Sequence, residues 1–113
     1  MTSIGVIPFA DALSATSLVR EIAELAARAR LPGIYPADFY ATRGGLMSYG
    51  PNLGETFGRA AEYVDKILAG AKPADLPIQQ PKTFELVINA KTARSLGVVI
   101  PSSLQLQAHS VIE

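Results

Sequence analysis

Apolar positions along the chain switch between the two-residue period of strands and the 3.6-residue period of helices. Ile4 to Ile7 is a short apolar run broken by Pro8 and reads as a strand, as if the sequence opened inside a fold. From Ser14 to Arg30 the period is helical. Leu18, Ile22, Leu25 and Ala29 form one stripe that Val19 and Ala26 widen, and Ser14, Thr16 or Ser17 can cap its start. Leu31 to Pro36 reads as a second strand bounded by prolines. A helical turn over Ala37 to Arg43 follows, stopped by Gly44-Gly45, and Leu46 to Tyr49 makes a third strand.

Asn52 and Glu55 have the spacing of a capping box ahead of a long helix, whose buried face is Phe57, Ala60, Ala61, Val64, Ile67 and Leu68 and which Gly70 ends. The proline-rich stretch Lys72 to Pro81 reads as an extended crossing segment with Leu76 and Ile78 seeking burial. Phe84 to Asn89 is the clearest strand, with Phe84, Leu86 and Ile88 on one face. A short helix from Ala90 to Leu96 closes at Gly97, and a weak helical turn is expected at Ser102 to Leu106 within the last segment. Strands that alternate with helices, without a tight hairpin signal, predict an α/β domain: a mostly parallel sheet with helices on both faces.

Composition narrows the function. In 113 residues, 10 Lys and Arg balance 10 Asp and Glu, and 49% of positions are apolar. Such a chain can bury a core, and without a basic cluster it predicts no nucleic-acid surface. No cysteine is present, which excludes disulfides, thiolate metal sites and a cysteine nucleophile. The single histidine, His109, has no acidic or histidine neighbours at ligand spacing and reads as a surface residue. No G-x-S-x-G elbow or Walker loop occurs, so neither catalytic residues nor a cofactor are expected.

Ligands of open α/β sheets bind beyond the carboxyl ends of strands. That rule selects Ser48, Tyr49 and Gly50, where the third strand meets the long helix, with Pro8, Phe9 and Asp11 after the first strand and Tyr35 ending the second. Each has two readings. Tyr49 stacks on a solute while Ser48 and the Gly50 amide bond its polar end, or its ring fills a gap under the next helix. Asp11 meets a solute ammonium or hydroxyl group, or caps a helix. Tyr35 touches solute, or packs in the core.

The chain carries further segments in a telling order: Ile22-Ala23-Glu24-Leu25-Ala26, Leu31-Pro32-Gly33-Ile34-Tyr35-Pro36, Gly44-Gly45-Leu46-Met47-Ser48-Tyr49-Gly50, the block from Arg59 to Pro77, and Phe84-Glu85-Leu86-Val87-Ile88-Asn89. On these the chain, from about Ile7 to Glu113, resembles the C-terminal part of ABC-transporter substrate-binding proteins of the type I periplasmic-binding-protein fold. The resemblance implies a non-enzymatic, two-lobed protein of the periplasm or cell envelope. Such a protein traps a small solute between its lobes, here an amino acid or similar carboxylate, and delivers it to an ABC permease.

It further implies that residues 1–50 and 83–113 belong to the C-terminal lobe, truncated here, and that residues 51–82 form a helix and crossing segments that pack on an absent N-terminal lobe. The chain shows no signal peptide and as written would stay in the cytoplasm. With the first lobe missing, the face of Phe57, Ala61, Val64 and Leu68 is expected to be exposed and to favour a homo-oligomer. The alternative is a stand-alone, dimeric α/β interaction or regulatory module without a transport role; a small enzyme ranks last.

Overall fold

A computed structural model describes residues 5–8 and 18–113. Helix α1 (Val19–Arg28) is followed by strand β1 (Ile34–Tyr35), α2 (Asp38–Thr42), β2 (Met47–Pro51) and α3 (Leu53–Leu68). A 3-10 turn at Pro73–Asp75 precedes β3 (Phe84–Asn89), α4 (Ala90–Leu96), α5 (Ser102–Gln107) and β4 (Ser110–Ile112). The sheet order is β1-β2-β3-β4; β1 pairs with β2, and β3 with β4, in parallel. Val6 extends the sheet by a parallel bridge to Gly33. The chain is therefore α/β, with a mostly parallel open sheet flanked by helices.

The chain divides into two compact units: Met1–Gly50 with Glu85–Glu113, and Pro51–Phe84. In the first, one cluster gathers Val19, Tyr35, Ala37 and Tyr40. A second gathers Leu46, Ile88, Ala93 and Ile100. Val87, Ile88 and Asn89 are buried in succession. Successive strand residues face opposite sides, so this end of β3 is covered on both faces, as parallel sheets require.

Asn89 ties these elements together. It caps α4 by accepting from the Thr92 amide at 3.0 Å, and its Nδ2 donates to the Ala41 carbonyl at 2.8 Å. Its backbone amide donates to Leu46 at 2.8 Å. Thr92 Oγ1 adds a bond to the Gly44 carbonyl at 3.0 Å. One short amide side chain thus fixes β3, α4 and the end of α2.

Helices α1 to α4 close in the same way, with the left-handed residue and its successor donating back to the last turn. In α1 that residue is Arg30, with φ 53° and a Leu31 N–H to Ala26 bond of 2.9 Å. Glycines 44, 70 and 97 hold the equivalent places in the other three, so only α1 bears the strain of a side chain there.

Several elements differ from the sequence reading. In α1 the buried positions are Val19, Ala23 and Ala26, whereas Leu25 is exposed. The face turns by one residue, roughly 100°, because the small alanines carry the packed side. The residues expected to cap α1, at positions 14, 16 and 17, lie outside the described residues. The second strand shrinks to Ile34–Tyr35. The last segment holds a full helix and the strand β4, which was not anticipated.

In the unit Pro51–Phe84, Asn52 caps α3 by accepting from the Glu55 amide at 3.0 Å. The Glu55 carboxylate pairs with Arg59 at 2.8 Å instead of reaching back to Asn52. No residue of α3 is buried: Phe57 is 71% and Leu68 82% exposed. Ile78, expected to find cover, is 97% exposed.

Replacing Asn89 by Ala removes a helix cap and leaves the buried Ala41 carbonyl without its donor. We expect a loss of about 2–4 kcal/mol in urea unfolding. A loss below about 1 kcal/mol would remove Asn89 from its central place.

Candidate functional site

Strand β2 carries the candidate site at its carboxyl end, and its burial alternates along Met47–Pro51. Ser48 is 1% exposed, Tyr49 is 55% exposed and Gly50 is buried. Because side chains alternate across a sheet, Ser48 and Tyr49 leave β2 on opposite faces. Tyr35 and Ser48 are register partners, so both lie on the face occupied by the aromatic cluster. Tyr35 stacks on Tyr40 with ring centroids 4.9 Å apart and an interplanar angle of 13°, and Tyr40 stacks on Phe39 at 5.0 Å. Arg43 lies 5.9 Å from the Phe39 centroid and extends the stack to the surface.

Tyr35 is thus a core residue by position. Glycines 33 and 45 make room for it: a side-chain carbon at either would meet the Tyr35 ring at 2.8 Å. Burial raises the Tyr35 hydroxyl pKa above its usual value of 10.0, and the charge of Tyr40 adds to the effect.

The Ser48 hydroxyl has no hydrogen-bond partner among the described residues. Such a group in an apolar layer is costly unless something reaches it. Gly50 has a different explanation. A carbon at its missing Cβ position would stand 2.0 Å from the Pro36 carbonyl oxygen, so the approach of two backbone segments excludes every side chain there.

Pro8 is half-buried. Phe9 and Asp11 lie outside the described residues. Among the solute-site candidates with coordinates, Tyr49 alone offers a substantial exposed side chain. The sequence reading did not single out Tyr40, which stacks on Tyr35, or Asn89, which bonds to Leu46 just ahead of β2. An asparagine at a strand–helix junction was the available signal for the second.

Elsewhere, His109 is exposed and stands 3.8 Å from Glu85. Among the described residues no group of His, Asp or Glu is arranged to hold a metal ion, and no helix is long and apolar enough to cross a membrane. The unit Pro51–Phe84 has a groove of about 170 Å³ between α3 and residues 79–81, lined by Thr56, Arg59, Tyr63 and Gln79. The Tyr63 hydroxyl donates to the Pro77 carbonyl there.

A mostly parallel open sheet flanked by helices is the architecture of periplasmic-binding-protein-like domains. Residues 5–112 match the family described as ABC transporter substrate binding protein, and the chain belongs to that family. It is a family of solute-binding proteins, not of enzymes.

The chain is similar to a crystal structure of a conserved domain protein from Vibrio cholerae, with 30% identity and a TM-score of 0.87, over 93% of this chain and 35% of that one. It is similar also to the ABC domain in complex with L-Trp from Streptococcus pneumonia, with 28% identity and a TM-score of 0.87, over 96% of this chain and 36% of that one. A ligand-free, open substrate-binding protein with adhesive properties from Clostridium difficile shares the fold, at 23% identity and a TM-score of 0.58, over 91% of this chain and 34% of that one. The chain therefore spans about a third of the length of these solved relatives. No curated protein matches it.

Two outcomes follow from this geometry. Gly50→Ala should cost about 3 kcal/mol or more in denaturant unfolding, since two backbone segments must part to admit the methyl group. Tyr35 folds best protonated: its contribution is complete below about pH 10 and is lost as pH rises through its raised folded value. Tyr35→Phe should therefore flatten the fall of stability above about pH 10, read from thermal unfolding across alkaline buffers. An equally steep fall in the variant would contradict this.

Proposed function

We propose that this chain forms part of the C-terminal lobe of the solute-binding component of an ABC importer and supplies one side of an interlobe cleft for a small solute such as an amino acid. The observation that carries the reading is the half-exposed Tyr49 ring at the carboxyl end of a parallel strand. The ring stacks on the apolar part of the solute. The Gly50 amide takes its polar end, while the Ser48 hydroxyl lies on the other face of β2 in the aromatic layer. Tyr35 backs this strand from the core on the opposite face. The similar Streptococcus protein was solved with L-Trp, which makes that amino acid the first solute to test.

In this reading residues 1–50 and 83–113 are lobe, and residues 51–82 provide a helix whose exposed apolar face, with Phe57, Val64 and Leu68, packs on the first lobe. The family supports delivery to a permease and a place outside the cytoplasmic membrane. The same exposed face supports a second reading, a self-associating module in which two copies cover each other. Solute binding separates the two.

The test is calorimetric titration, with L-Trp and other amino acids, of a chimera in which this chain replaces the matching third of the Vibrio cholerae relative, after a thermal-shift screen. Solute at a hundred times its Kd should stabilise by about 2.7 kcal/mol. Tyr49→Ala should weaken binding at least about tenfold, the equivalent of about 1.4 kcal/mol. No response to any amino acid would remove that solute class, and full affinity in Tyr49→Ala would remove Tyr49 from the cleft.

A further inference from the structure

Within the unit Pro51–Phe84, the groove beside α3 continues into a wider space. Its narrow part, of about 170 Å³, has Thr56, Arg59 and Tyr63 on the helix side and Gln79, Gln80 and Pro81 opposite. The same Arg59, Gln79 and Gln80 line an adjoining open part of about 710 Å³, where Glu62 and Lys82 join them. Arg59 therefore stands where the two parts meet. Small-molecule sites occupy ~300–1,000 Å³, so the groove has room for one.

Its walls offer both donors and acceptors. The Thr56 hydroxyl donates to the Asn52 carbonyl at 3.0 Å, and the Tyr63 hydroxyl donates to the Pro77 carbonyl, which leaves both oxygens with lone pairs to accept. Arg59 Nη2 donates to Glu55 at 2.8 Å, and a guanidinium carries further N–H donors on its other nitrogens. The exposed side-chain amides of Gln79 and Gln80 each donate and accept. Charge is balanced: Glu55 pairs with Arg59, and Glu62 and Lys82 line the wider part with opposite signs. Ala60, Pro81 and the Tyr63 ring add carbon surface.

We propose that this groove is a second binding site, for a neutral carbohydrate. A sugar hydroxyl donates and accepts at once, so it needs a wall that mixes the two, and the C–H face of its ring lies on apolar and aromatic surface. A free acid or base finds no unbalanced charge here to favour it. The site is distinct from the strand tips, because neither part of the groove includes Ser48, Tyr49 or Gly50. It is also turned away from the apolar stripe of α3. Thr56 and Tyr63 each precede a stripe residue, Phe57 and Val64, by one position, which is about 100° around a helix. Cover over the stripe therefore leaves the groove side of α3 open.

The experiment titrates the chain with maltose, cellobiose, lactose and N,N′-diacetylchitobiose, followed by NMR shifts of the side-chain amides. At least one of them should saturate with a Kd of about 1 mM or below. Gln79 and Gln80 are exposed, so replacing them leaves the packing intact. Gln80→Ala and Gln79→Ala should each weaken that sugar at least about fivefold, whereas Tyr49→Ala should leave its affinity within about twofold.

Absence of saturation by every sugar would overturn the proposal, as would full affinity in both glutamine variants. Loss of sugar binding in Tyr49→Ala would place the sugar at the strand tips and end it equally. Glucuronic acid tests the neutral character: it should bind no more tightly than glucose. A preference for the acid of about tenfold or more would mean that Arg59 acts as an unbalanced cation, and would remove the carbohydrate class. Failure of the amino-acid titration leaves this result untouched, since the two sites share no residue.

Discussion

The hydrogen bonds of Asn89 set the geometry on which the rest of this fold depends. A single side chain amide caps α4 and holds the Ala41 carbonyl, while its backbone amide reaches Leu46. The end of β3, the start of α4 and the end of α2 are thereby fixed to one another. Each bond is worth about 1 kcal/mol net, but a buried donor or acceptor left unpaired costs more. The network is effective because all its members are satisfied together.

Around that anchor, the strand tips are set by close backbone approach. Glycines 33 and 45 admit the Tyr35 ring, and Gly50 admits the Pro36 carbonyl. These contacts put Tyr35 and Ser48 inside and leave Tyr49 outside. The pleat thus separates two neighbouring residues into different roles: one hydroxyl in an aromatic layer, and one ring at the surface.

Both units of the chain expose apolar surface. In the unit Pro51–Phe84, α3 holds together through its own caps and an i,i+4 ion pair, yet its apolar stripe is uncovered. In the other unit, an apolar trough lies beside the Val6 bridge. Solute-binding proteins build their clefts between lobes, and this chain matches about a third of the solved relatives.

Local signals were legible where they acted within a few residues. Phe84–Asn89 and Ala90–Leu96 could be read from alternation and a closing glycine. The Asn52 cap was equally plain, as were the family and its α/β fold, which depend on the order of such segments. Strand β4 was not legible: Ser110–Ile112 is a strand because β3 offers it a parallel edge, and no three residues carry that fact alone. The buried face of α1 was decided by which side could approach the sheet closely, so small alanines prevailed over Leu25. At the site, sequence could name Ser48, Tyr49 and Gly50, but only the pleat and the Pro36 carbonyl decided which of them faces water. Periodicity and capping are properties of one segment, whereas burial is a property of two surfaces that meet.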